Sequence, residues 1–329
     1  MRVIRTFLRT ILASCIVAVG MLAAAPFASA KWPMDKPMTI VVPWPPGTGA
    51  DLVARLLADG IGKKWGNQVQ VENKVGATGN IAQNFVAKAA PDGYTFIVTT
   101  PGPAANNMLT FKALSFNPLT DFTFVTITNE DPMVIVAGPR LAAKDIGGLV
   151  DYVKANPGKL QFGNPGHGTY AHMTQLALQD MIGTKFNLVP YRGSPQMTSD
   201  MLSGQIDAVI DLLGGYLPQI RAGKLRAMAI IGNKRVDQLP DVPTLREIGL
   251  NFTAEPWYGL QGPKGIPREI VDQMNAVAAE ILTSSAVKEK LAGAGITPRT
   301  STPEAFEQLV KNEVEKWRPI VVKYDIKSE

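Results

Sequence analysis

Two glycine-rich turns carry the residues best suited to chemistry. They are Pro43-Trp44-Pro45-Pro46-Gly47-Thr48-Gly49-Ala50-Asp51 and Gly163-Asn164-Pro165-Gly166-His167-Gly168-Thr169. Each follows an apolar run that reads as a strand and opens a run with helical periodicity. A turn of this kind aims free backbone N–H groups, and the positive end of a helix dipole, at one spot that suits a carboxylate or phosphate. Two such spots about 120 residues apart suggest a ligand gripped from two sides. Glycine turns also serve simply to let a strand meet a helix, so either turn alone is weak evidence.

Magnitudes limit what the turns can do. A charge at a helix terminus gains ~0.3–1 kcal/mol, and up to ~2 when partly buried. Micromolar binding needs about 8 kcal/mol, so direct hydrogen bonds and burial must supply the rest. Thr169 is placed to donate its hydroxyl. Asp51 could meet a ligand amine, although Arg55 four residues on makes an ordinary helical ion pair the simpler role. Asp211 ends an apolar strand before Leu212-Leu213-Gly214-Gly215, where it could read an amine or hydroxyl or cap the turn. Arg192 suits either a bidentate carboxylate contact or a surface turn. Trp44 and Trp257 could wall a pocket or fill a core.

Other chemistries find little support. His167 and His172 are the only histidines, five residues apart, without cysteine or an acidic cluster beside them. No metal site is expected from that pair. No Gly-Lys-Ser/Thr follows Gly47–Asp51, which excludes a nucleotide P-loop. No Ser–His–Asp set or acid–base carboxylate pair stands out, so no catalytic residue and no cofactor are assigned.

The first thirty residues read as an address. Arg2, Arg5 and Arg9 precede an apolar stretch from Ile11 to Ala25, and Ala28-Ser29-Ala30 is a small-residue cleavage pattern. A secretory signal cut after Ala30 is expected; the stretch is shorter than the ~20 residues of a membrane helix. Leu12-Ala13-Ser14-Cys15 also resembles a lipoprotein site, but cutting there would leave an apolar tail. Of 33 basic and 28 acidic residues, the signal takes three arginines, leaving a net charge of about +2. So small an excess does not favour nucleic acid or an anionic membrane. The only cysteine, Cys15, leaves with the signal. An exported, cysteine-free chain suits a bacterial periplasm.

These residues need a scaffold, and the pattern is mixed α/β. Strand-like runs fall at Thr39–Val42, Val69–Glu72, Thr95–Thr99, Met133–Ala137, Ile206–Asp211 and Leu225–Ile231. Helical periodicity marks Ala50–Trp65, Thr169–Met181, Ile270–Leu282, Ala286–Ala294 and Pro303–Tyr324. Such alternation predicts parallel sheets covered by helices. We expect two lobes, residues 31–131 with 253–329 and an inserted 132–252, with crossings near Asn129–Pro132 and Asn251–Pro256.

At several points the chain resembles a known family. Pro43–Asp51 running into Leu52-Val53-Ala54-Arg55, then Val71–Ile81 and Ala90-Pro91-Asp92-Gly93-Tyr94-Thr95, look like its first signatures. Val189–Ser194, Ala222–Arg226 and Leu239–Thr244 follow in the right order. The family is that of the Bug-type periplasmic receptors of tripartite tricarboxylate transporters. The resemblance implies a two-lobed Venus-flytrap fold, each lobe a sheet flanked by helices. It also implies a monomer that closes on a small carboxylate or related amide and delivers it to a membrane permease. Carried over, Pro46, Gly47, Thr48, Gly49, Ala50 and Asp51 form the first ligand loop, and Gly166, His167, Gly168 and Thr169 the second. The segment Val75–Asn80, including Gly76, Ala77 and Asn80, should line the same cleft with Thr100-Pro101 and Trp257. Thr48 stands where the family commonly has glycine, and His167 where a small or apolar residue is expected. A ligand-sensing partner of a signalling protein and an enzyme on the same fold are the rival readings.

Overall fold

The computed structural model describes residues 32–327 except Arg192. The expected signal with Cys15, and the alternatives for Arg192, lie outside the described residues. Two sheets organise the chain. The first runs β11 (Thr297–Pro298), β4 (Phe122–Glu130), β10 (Trp257–Pro263), β3 (Thr95–Thr99), β1 (Met38–Val42), β2 (Val69–Asn73). The second runs β7 (Asn187–Pro190), β6 (Gln161–Asn164), β8 (Ala208–Leu212), β5 (Met133–Ala137), β9 (Arg226–Ile230). We call the bodies built on them lobe I and lobe II.

The central strands are short, nearly continuous apolar runs, because helices cover both of their faces. Ile40, Val41 and Val42 of β1 and Phe96, Ile97 and Val98 of β3 are fully buried. Helices α1 (Gly49–Trp65), α6 (Arg268–Thr283) and α7 (Ser285–Gly293) cover one face of lobe I. Helix α2 (Asn80–Ala87) and the first half of α8 (Pro303–Lys323) cover the other. In lobe II, α3 (Ile146–Ala155) and α4 (Tyr170–Ile182) lie on one face, and α5 (Ser194–Leu202) on the other.

Strand directions decide where the turns go. β1, β2 and β3 are parallel, β10 is antiparallel to β3, and β4 is antiparallel to β10. The carboxyl ends of β1–β4 therefore share one edge. In lobe II, β6, β7 and β8 are parallel, and β5 is antiparallel to both β8 and β9. The carboxyl ends of β6–β9 thus share an edge with the start of β5. Only Asp131 and Pro132 separate β4 from β5, so the two edges face each other. The return passage joins there, since the Asp131 N–H donates to the Pro256 carbonyl at 2.9 Å. The turns after β1, β2 and β3 in lobe I and after β6, β7 and β8 in lobe II open toward this junction, where ligands of open α/β sheets bind.

Two backbone contacts complete the junction. A Cβ on Gly214, just after β8, would fall 2.6 Å from the Ala294 carbonyl, and one on Gly295 would fall 3.0 Å from Gly214 Cα. Helix α8 spans both lobes. Phe306, Val310 and Val314 pack with Trp257 and Ile127 of lobe I, whereas Trp317 and Val321 enter the core of lobe II.

Candidate ligand site

In lobe I three turns meet. The first follows β1 and leads into α1, whose N-cap, Thr48, makes no capping bond to the helix. Its hydroxyl donates back to the Pro45 carbonyl at 3.0 Å. Asp51 holds the turn from within, accepting from Gly47 N–H at 3.0 Å, from the Arg55 guanidinium on both oxygens at 2.9 Å, and from Asn73 Nδ2 at 2.9 Å. Burial alone would raise its pKa, but the Arg55, Gly47 and Asn73 hydrogen bonds hold it down at about 2. Its oxygens are thus committed to the turn, the helical-pair role weighed from sequence. The turn after β2 passes through Ala77 (φ 45°) and Thr78 (φ 52°), backbone that L-residues enter at a cost. Gly79 fits between the first and third turns, since a Cβ there would fall 3.1 Å from Pro43 and 2.9 Å from Pro103. Asn107 Nδ2 ties the second turn down by donating to the Thr78 carbonyl at 3.0 Å and to Asn80 Oδ1 at 2.6 Å. Thr100 accepts from Trp44 Nε1 at 3.3 Å. Pro46–Asp51, Gly76, Ala77, Asn80 and Thr100 are therefore brought together.

Lobe II offers a second set. Gly166 N–H donates to Asn164 Oδ1 at 3.0 Å, and Gly168 N–H to His172 Nδ1 at 3.2 Å. To accept that bond His172 must be neutral. Burial, then the neighbouring His167 ring 4.7 Å away, pushes its pKa down to about 4. His167 itself is exposed at the tip of the turn. Thr169 departs from expectation. Its hydroxyl donates to the Gly166 carbonyl at 2.7 Å and accepts from His172 N–H at 3.3 Å, so it caps α4 instead of pointing a free donor outward.

Between the two sets lies a buried polar cluster that the sequence only half disclosed. Asp211, 5% exposed, accepts from Ser194 Oγ at 2.6 Å and from the Tyr216 hydroxyl at 3.0 Å. Asp131, 4% exposed, accepts from the Tyr258 hydroxyl at 2.7 Å, and its other oxygen has no partner among the described residues. Burial, moderated by Tyr258 and reinforced by the charge of Asp211, lifts Asp131 to about 7; burial also raises Asp211. Asp131 and Tyr258 carried no sequence signal beyond lying at the crossings.

Trp257 corrects an expectation. It is 1% exposed, lies edge-on to Phe306 in the lobe I core, and donates its indole N–H to Glu313 Oε2 at 3.3 Å. It supports the cleft without lining it. Among the described residues no group of His, Cys, Asp and Glu is arranged to hold a metal ion, and no helix is long and apolar enough to cross a membrane.

Two sheets of this topology, with their turns converging on a double crossing, define a two-lobed periplasmic solute-binding fold. The profile of the tripartite tricarboxylate transporter family receptor matches residues 53–326, and the chain belongs to that family. It is 34% identical over 300 residues to Protein BugT of Bordetella pertussis, covering 91% of this chain and 92% of that one. An R. palustris protein solved with adipate superposes with a TM-score of 0.78 at 32% identity, covering 88% of this chain and 97% of its own. MatC from Rhodopseudomonas palustris with bound malate superposes at 0.74 with 32% identity, covering 87% and 99%.

Proposed function

We propose that the chain is a periplasmic receptor that captures a small carboxylate-bearing metabolite between its lobes and delivers it to a tripartite tricarboxylate-type permease. The observation that carries this reading is the convergence of the glycine turns of both sheets on one junction, with the Thr48 side chain making no capping bond at the start of α1. An uncapped helix start keeps donors for an anion. The structural relatives solved with adipate and with malate add weight, since both compounds are dicarboxylates. In this proposal residues 31–131 with 253–329 form the first lobe, apart from the end of α8, whose Trp317 and Val321 lie in the core of the second, and 132–252 form the second; export removes residues 1–30. The receptor works as a monomer and binds without turnover.

Thermal unfolding of the chain lacking residues 1–30, against mono-, di- and tricarboxylates, aromatic acids, amino acids and amides, tests the proposal. Ligand at a hundredfold over Kd adds ~2.7 kcal/mol, enough to raise the midpoint visibly. A selective rise with one carboxylate class is the expected result. A flat panel, before and after unfolding and refolding to remove any resident ligand, would sink the carboxylate reading. Conversion of the bound acid would sink the receptor reading.

A further inference from the structure

Helix α8 carries a buried carboxylate at the point where it passes from one lobe to the other. Glu313 is 4% exposed. One oxygen accepts the indole N–H of Trp257, the first residue of β10, at 3.3 Å. The other accepts the indole N–H of Trp317, whose ring lies in the core of lobe II. Trp317 in turn packs edge-on against Tyr170, ring centroids 5.0 Å apart. Tyr170 is the first residue of α4, directly after the second ligand turn. Further along, Lys323 of α8 pairs with Asp180 of α4 at 2.6 Å, and Tyr324 donates to the same carboxylate at 2.5 Å. The second half of α8 is therefore fastened along the helix that bears the second turn. The first half is fastened to lobe I through Phe306, Val310 and Val314.

The helix is weakest at the changeover. Pro319 has no N–H to donate to the Glu315 carbonyl one turn earlier, so the turn that follows Val314 lacks a backbone bond. We propose that α8 is a third connection between the lobes, and that Glu313 is a positioning residue that sets the angle between them by holding Trp257 and Trp317 together. Lys316, whose ammonium lies 5.2 Å from the Trp317 ring centroid, supplies a nearby positive charge for the buried carboxylate. The inference rests on the two-lobed fold and not on the identity of the ligand.

The test needs no ligand. Cys15 is the only cysteine, so the chain lacking residues 1–30 accepts a spin-label pair at Lys88→Cys in lobe I and Lys159→Cys in lobe II, both exposed. Pulsed electron-spin distance measurements then report the inter-lobe distribution directly. Glu313→Gln, Trp257→Phe and Trp317→Phe should each about double the width of the distribution found without them, as further inter-lobe angles become populated. Phe252→Leu loosens the packing around Trp317 without touching the Glu313 bonds, and should leave the width unchanged. Unchanged widths in the three lock variants, whatever their unfolding midpoints, would overturn the proposal. So would equal broadening in Phe252→Leu, which would mark the effect as general core loosening.

Discussion

The Tyr258 hydroxyl donates to Asp131 at 2.7 Å and fills the space that a Cβ on Gly49 would need, 2.8 Å away. The glycine turn that opens α1, the outgoing passage at Asp131 and the return passage at Tyr258 thus meet at one oxygen atom. Gly49→Ala must displace that hydroxyl and crowd the Ile296 side chain 3.1 Å away, and should cost about 1–3 kcal/mol, the usual range for overpacking. Adding Tyr258→Phe removes the obstructing oxygen but strips Asp131 of its donor. Urea unfolding of both single variants and the pair should give a non-additive cycle; strict additivity would mean the two residues do not compete for the space.

Asp131 gives the fold a pH dependence of unusual sign. Its pKa stands at about 7 in the folded chain against an ordinary 3.8, so the folded state keeps a proton that the unfolded chain releases. The stability contributed by that proton is complete below about pH 4 and lost as pH rises to about 7. Asp131→Asn can still accept from Tyr258 but cannot ionise. Relative to the unsubstituted protein it should gain stability between pH 5 and pH 8; a constant difference across that range would contradict the assignment.

His172 tilts the balance the other way. Its folded pKa of about 4 lies below the ordinary 6.5, so its contribution is full above pH 6.5 and is lost as pH falls toward 4. His172→Gln should therefore be most damaging near pH 7.5 and approach the unsubstituted protein near pH 4.5. Unfolding midpoints at those two values decide the matter, and a deficit that grows on acidification would refute it.

The Asp51 carboxylate holds three partners, and they are unequal. Asp51→Ala leaves the Gly47 N–H without its acceptor and the Asn73 amide with only the Trp44 carbonyl, and should cost about 2 kcal/mol. Arg55→Met should cost about half of that, because the guanidinium is half exposed and water replaces it cheaply. Chemical denaturation at neutral pH orders the two, and a larger loss for Arg55→Met would place the weight on the ion pair instead.

Most of the scaffold was legible from periodicity. The strand and helix runs read at Thr39–Val42, Thr95–Thr99, Met133–Ala137, Ala50–Trp65 and Pro303–Tyr324 correspond to elements with nearly the same ends. Strand β10 was not, and its glycines explain why. A Cβ on Gly259 would fall 2.0 Å from the Phe306 ring, and one on Gly262 would fall 2.3 Å from Ile266. Glycine that reads as a turn is here a strand residue under a large side chain, from α8 in one case and from the loop before α6 in the other. The glycine turns were legible as strand-to-helix connections, but the use of each side chain in them was not. Thr169 and Asp51 spend their polar atoms on their own turns, and Trp257 spends its indole on Glu313, partners 3, 4 and 56 residues away. Only the folded chain shows which donors are already taken.

The contact of Gly214 with Ala294 and Gly295 carries a consequence for divergence within this architecture. Where the lobes press together there, main chain meets main chain, and no rotamer can yield. A methyl group at either glycine would act as a wedge, driving the lobes apart by a fixed step instead of a graded one. Sequence change around the junction is then tolerated in the turns more readily than at this fulcrum, which must stay bare.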